Sequence, residues 1–215
     1  MVNDTPKVKI LTIGRSIATL CCICYVWSLP LLAKVGFAQK GQNSLSGFIA
    51  NPQATGALAM VSFVPIVMMW EYQDIIINLR KLDKNIKNKL NYSISMFQLS
   101  YGLFLTCTDG FAPSWLHMTT VICFGTSCII HSILILRYIE FTKISKMLLQ
   151  LGIFTFLILP FVPGLYFWAI ECVGFSIMMI FTPLECYFLH TNFELYDEFI
   201  NGSSSDTALL KVIKN

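Results

Sequence analysis

The dominant pattern along the chain is a series of long apolar stretches separated by short polar segments. An α-helix needs about 20 residues to cross the hydrocarbon core of a bilayer, which is about 30 Å thick. Six stretches reach or approach this length, and none has the alternating pattern of a barrel strand. The predicted spans are Ile10–Ala33, Thr55–Ile77, Tyr92–Cys107, Trp115–Ile139, Met147–Val162 and Leu165–Leu189. The pattern therefore predicts an all-α, polytopic transmembrane helical bundle of six spans.

The six predicted spans form one transmembrane domain over residues 10–190, preceded by a flank at 1–9 and followed by a tail at 191–215. The first apolar stretch follows Lys7 and Lys9, as in a signal peptide. It is longer than the core of about 7–15 residues that such peptides have, so we expect it to be retained as a span. The fifth and sixth spans are separated by Pro163-Gly164, which predicts a tight hairpin.

The lysines and arginines lie almost entirely on one side of the predicted membrane. All but Lys34 and Lys40 of the 15 fall near the start of the first span, between spans two and three, between spans four and five, or in the tail. The positive-inside rule assigns that side to the cytosol. Because six is an even number, both termini share a side, and we predict that the N- and C-termini are cytosolic.

The composition agrees with a membrane protein and excludes several functional classes. Hydrophobic residues make up 55% of the 215 residues and charged residues only 13%, against roughly 25% charged in soluble domains. This balance argues against a soluble enzyme and against a nucleic-acid partner. The three histidines and eight cysteines have neither zinc-site spacing nor the GxSxG or HExxH pattern of a hydrolase. We therefore expect no enzymatic activity, no metal and no cofactor.

Three ionisable residues lie near the side of the predicted membrane that has few cations. His117 is two residues into span four, Asp109 is in the adjoining turn, and Glu171 is six residues into span six, about 9 Å along the helix. Ionisable groups at membrane depth often mark a site. We predict that they converge as a lipid-headgroup site, with Glu171 bonded to His117 or to the headgroup. In the alternative, His117 is an interface histidine, Asp109 is a loop aspartate, and only Glu171 is satisfied by a neighbouring helix.

The segment between spans two and three is rich in cations. Such a cluster beside a span attracts anionic lipid with about 1 kcal/mol per cation. The alternative is the ordinary positive-inside bias. The predicted anionic-lipid contacts are Arg80, Lys81, Lys84, Lys87 and Lys89.

Several short motifs occur at characteristic places among the spans. Asn51-Pro52 precedes span two, Trp115-Leu116-His117-Met118 opens span four, Ala169-Ile170-Glu171 opens the sixth, and Phe181-Thr182-Pro183-Leu184-Glu185 follows later in it. In this arrangement the chain resembles the DRAM/Frag/Sfk family of six-span eukaryotic membrane proteins, with cytosolic termini. The resemblance implies that the positions matching the family pattern are His117, Glu171, Phe181 and Thr182.

The resemblance implies lipid-linked roles without catalysis: autophagy at lysosomes, remodelling of GPI-anchored proteins in the Golgi, or phosphoinositide signalling at the plasma membrane. We therefore expect a multi-pass protein of an endomembrane (lysosome, Golgi or ER) or the plasma membrane that modulates lipid organisation, trafficking or autophagy, with lipids as partners. The alternative is a structural accessory subunit bound to other membrane-protein subunits, for example in a respiratory complex of the mitochondrial inner membrane. A transporter is disfavoured, because the polar residues predict two end clusters and an apolar middle.

Overall fold

The fold is entirely helical in the part of the chain that the structure describes. The computed structural model describes residues 5–79, 82–108, 112–139, 141, 143–164, 166–181 and 184. Within these residues there is no β-strand. The α-helices are α1 (Thr5–Lys34), α2 (Leu45–Phe48), α3 (Pro52–Leu79), α4 (Lys84–Thr106), α5 (Ser114–Tyr138), α6 (Lys143–Ile158) and α7 (Tyr166–Phe181), with a 3₁₀ turn at Leu159–Phe161.

Among the described residues, four helical segments are long and apolar enough to cross a membrane. They are Ile13–Lys34, Pro52–Glu71, Ser114–Tyr138 and Lys143–Phe161. They correspond to the first, second, fourth and fifth spans expected from the sequence. The described parts of the other two expected spans also fold as helices, but α4 begins with a lysine-rich turn and the described apolar helix α7 has 16 residues, from Tyr166 to Phe181. The chain therefore has the architecture of an integral membrane protein.

The long helices pack in chain order around the bundle. Helix α1 lies against α3, α3 against α4, α4 against α5, and α5 against α6. Helix α7 completes the ring, because Trp27 Nε1 on α1 donates to Ser176 Oγ at 2.9 Å and Gly174 lies close to Thr155 on α6. Small residues let membrane helices approach closely. A Cβ built on Gly174 would be 3.0 Å from Thr155 Cγ2.

The two ends of this bundle differ in charge. Successive long helices joined by short connections alternate in direction, so the starts of α1, α4 and α6 share an end with the ends of α3 and α5. We call this the cationic end; its described cations outside α1 are Lys84, Lys87, Lys89, Arg137, Lys143 and Lys146. We call the opposite end the loop end, because it carries residues 35–51 and the connection from α6 to α7.

Candidate functional site

The 35–51 loop folds into a fixed structure over the loop end. Gly36 and Gly41 have φ angles of +85° and +71°, a region that favours glycine and lets the chain reverse after α1. Ser44 begins α2, and its Oγ accepts from Gly47 N at 3.0 Å, an N-cap that stabilises the first turn. All four residues of α2 are buried. The loop is therefore packed onto the bundle and does not extend away from it.

Glu171 holds this loop against α7. Its Oε2 accepts a hydrogen bond from Leu45 N at 2.6 Å, and Leu45 is the first residue of α2. The first backbone N–H groups of a helix lack partners within the helix, and a carboxylate is a favourable acceptor for them. Ser44 and Glu171 therefore cap α2 together, and the cap contributed by Glu171 comes from a helix 126 residues further along the chain.

Aromatic contacts support the same attachment. The Trp168 ring on α7 meets Phe48 of α2 edge to face, with ring centroids 5.8 Å apart and planes at 71°. It meets Trp27 of α1 in a similar way, at 5.6 Å and 74°. Such aromatic pairs contribute about 0.5–1.5 kcal/mol each beyond the area that they bury. The short helix α2 is thus fixed by a polar contact and an apolar contact to α7.

Asn51-Pro52 closes the loop and begins α3. Asn51 Oδ1 accepts from Ala54 N at 2.8 Å, while its Nδ2 donates to Phe37 O at 3.2 Å. Asparagine is favoured at the N-cap because its side chain accepts from a backbone N–H of the first turn. Proline is favoured at the first helical position because a backbone N–H there would have no partner within the helix. Tyr25 adds a hydrogen bond from its hydroxyl to Ala54 O at 2.6 Å. The motif singled out in the sequence therefore joins both ends of the loop.

His117 has a separate partner at the same end. Its Nδ1 lies 2.8 Å from Cys107 O, and because a carbonyl only accepts, Nδ1 is the donor. The imidazole also lies beside the Phe104 ring, with centroids 6.5 Å apart. His117 thus ties the start of α5 to the end of α4. The expected bond between Glu171 and His117 is not formed, since each contacts backbone, and Asp109 lies outside the described residues.

A cleft of about 420 Å³ opens beside the loop. Its wall combines two exposed cations, an amide and several apolar groups. The lining residues are Pro30, Ala33, Lys34, Lys40, Gly41, Gln42 and Phe48. Sequence reasoning counted Lys34 and Lys40 only as exceptions to the charge bias. The signal available was Gly36, which lies between the two lysines and favours a reversal of the chain.

At the cationic end, the predicted lipid contacts fall into three groups. Lys84 and Lys89 are exposed, and Lys89 Nζ lies 5.9 Å from the centroid of the Tyr138 ring. Lys87 Nζ is instead 2.9 Å from Asp74 Oδ1, so part of its charge is neutralised. Arg80 and Lys81 lie outside the described residues.

Arg15 is one of the cations near the start of the first span that the sequence analysis uses only for orientation, and the structure shows that it is buried. It lies within the apolar part of α1 and only 1% of its surface is exposed. The spacing carried the signal, because buried residues of α1 recur every three or four positions, as on one helix face. That face consists of Arg15, Thr19, Cys22, Val26, Leu29 and Ala33.

The polar contacts between helices also continue through the middle of the bundle. On α4, Gln98 Nε2 donates to Ile66 O at 2.8 Å, and Tyr101 donates to Ser62 Oγ on α3. On the other side, Ser100 Oγ lies 2.6 Å from Ser127 Oγ of α5. The expectation of an apolar middle is wrong, because α4 presents serine, glutamine and tyrosine to both neighbours. Each of these groups is bonded to another helix, as expected of contacts that hold membrane helices together.

No protein-family model, no curated protein and no solved structure matches the chain.

Proposed function

We propose that the chain is a six-span membrane protein without catalytic activity of its own, which binds lipid headgroups at its loop end and so modulates lipid organisation. In this proposal α4 and α7 also cross the bilayer, and the cationic end and both termini are cytosolic. The membrane is an endomembrane or the plasma membrane. This is the class of role that the resemblance to the DRAM/Frag/Sfk family implies.

The observation that carries the proposal is the fixed cleft at the loop end. One wall of the cleft is α2, which is capped by Glu171 and packed on Trp168. The rest of the lining adds the cations Lys34 and Lys40 to apolar groups, a combination that suits an amphipathic molecule with a polar head. In this account Glu171 and His117 are positioning residues: they hold the loop and the α4–α5 turn, and the cleft side chains contact the lipid.

The orientation is supported by the charge of the two ends. The exposed cations described at the cationic end are Lys84, Lys89, Arg137, Lys143 and Lys146, whereas those described at the loop end are Lys34 and Lys40. Segments rich in lysine and arginine are retained in the cytosol during insertion, so we assign the cationic end to the cytosol. We propose that Lys84 and Lys89 also contact anionic lipid of the cytosolic leaflet, each contributing about 1 kcal/mol. Lys87 contributes less because Asp74 is beside it.

The experiment is lipid retention by the purified full-length protein. The protein is extracted in a mild detergent and washed extensively, and bound lipid is quantified by mass spectrometry. We expect the unmodified protein to retain lipid, and Glu171→Ala to lose most of it, because α2 no longer forms a fixed wall. Glu71→Ala is the matched control, since Glu71 is exposed and lies near the other end of α3.

Two results would contradict the proposal. One is that the unmodified protein retains no lipid after washing. The other is co-purification in fixed stoichiometry with other membrane proteins, which would favour the accessory-subunit alternative. In that case the polar groups of the bundle would contribute to subunit contacts.

A further inference from the structure

The cleft at the loop end has a distinctive charge distribution. Lys34 and Lys40 both line it, and both are exposed. They are the cations of the loop end in the part of the chain described. The nearby carboxylate, Glu171, is not among the lining residues, because it is directed to Leu45 N. The described lining residues therefore present two positive charges and no acidic side chain.

The backbone explains why two lysines six residues apart line one cleft. Lys34 ends α1, and Gly36 then takes a left-handed conformation that turns the chain back. On the return, Gln39 N donates to Phe48 O at 2.9 Å, which fixes the residue preceding Lys40 against α2. The arrangement of the two cations is thus a property of the folded loop, and it depends on the loop being held in place.

The cleft also borders the apolar surface of α1. Next to Lys34, the side chains of Leu31 and Val35 are 64% and 75% exposed, and Pro30 and Ala33 form part of the lining. In a membrane-spanning helix, exposed apolar residues of this kind face lipid tails. A ligand in the cleft can therefore place an anionic group between the lysines while its hydrocarbon lies along the end of α1.

We propose that this cleft is a binding site for an anionic glycerophospholipid, whose phosphate is held between Lys34 and Lys40. The inference rests on the proposed function and names the class of lipid. Lysine binds phosphate as a point charge, and the amide side chain of Gln42 supplies a neutral polar group at the same wall. A zwitterionic lipid gains less binding free energy from the lysines, because the cation of its own headgroup is repelled by them.

The test uses the full-length protein in a neutral detergent and measures the first lipid-binding event by native mass spectrometry. The probes are dioctanoyl phosphatidic acid and dioctanoyl phosphatidylcholine. At about 1 kcal/mol per cation, Lys34→Gln and Lys40→Gln are each expected to weaken phosphatidic acid binding about fivefold, and the double variant about 25-fold. Binding of phosphatidylcholine should change less than twofold. Replacing both lysines by arginine should retain the preference for phosphatidic acid.

The matched control removes two exposed cations from the cationic end, as Lys143→Gln with Lys146→Gln. We expect it to leave the first binding event unchanged. A loss of phosphatidic acid affinity in this control, with none in the Lys34 and Lys40 double variant, would overturn the proposal. Complete displacement of the lipid by millimolar inorganic phosphate would also overturn it, because the site would then recognise a small anion and not a lipid.

The two proposals fail in different ways. In one case the two lipids bind equally, the lysine variants have no effect, and Glu171→Ala still abolishes lipid retention. The proposed lipid class is then wrong, but the proposed function stands. If neither probe binds and the purified protein retains no lipid, both proposals are wrong.

Discussion

Removal of the Glu171 carboxyl group is the sharpest test of how the loop is held. Glu171→Ala deletes the acceptor for Leu45 N, at 2.6 Å, and leaves the Ser44 cap of α2 in place. The net contribution of a hydrogen bond to stability is about 1 kcal/mol between neutral groups and up to about 3 kcal/mol when one group is charged. We take about 2 kcal/mol for this cap. At 25 °C that free energy corresponds to about a 30-fold change in the local opening equilibrium.

The measurement is hydrogen exchange of the peptide covering residues 39–50, with the protein in detergent. Glu171→Ala should accelerate its exchange about 30-fold, while exchange in α3, α4 and α5 stays nearly unchanged. Glu171→Gln should have a smaller effect, about fivefold, because the amide oxygen still accepts from Leu45 but carries no charge. The control Glu71→Ala should not alter this peptide. Unchanged exchange in Glu171→Ala, or equal acceleration in every helix, would refute this account of the cap.

Three further predictions concern the bundle itself and are checked by thermal unfolding in detergent. Gly174→Leu should destabilise the protein by about 1–3 kcal/mol, because its side chain would enter the α6–α7 contact, whereas Gly102→Leu, in open space, should not. His131→Ala should lower the free energy of unfolding by about 2 kcal/mol, because it removes a buried ring whose Nδ1 lies 2.9 Å from Ser93 Oγ. Lys87→Ala should cost less than about 1 kcal/mol, because its ion pair is exposed; a larger loss would contradict this.

The apolar pattern predicted the helices well and the contacts between them poorly. Helices form where the expected spans lie, because hydrophobicity and length together decide which segments suit a bilayer. Glu171 and His117 were found because ionisable residues are rare in apolar stretches. Their partners, Leu45 N and Cys107 O, were not, because backbone groups carry no sequence signal. Helix α2 has four residues, too few to form a periodic pattern.

The cleft and the burial of Arg15 show a second limit. A count of cations treats Lys34, Lys40 and Arg15 as markers of orientation only. Whether a cation faces a cleft, a core or water depends on the helix face and on the path of the loop. The face of Arg15 was readable from its spacing to Thr19 and later buried residues of α1, whereas the position of Lys40 depends on two glycine conformations and on α2.

Protease protection in sealed microsomes tests whether the bundle spans a membrane with its cationic end in the cytosol, as we propose. Epitope tags are placed at the first and last residues and, in a separate protein, between Gln42 and Asn43. We expect added protease to remove both terminal tags without detergent and to leave the loop tag intact until detergent is added. Protection of one terminal tag, or digestion of the loop tag in sealed vesicles, would contradict it.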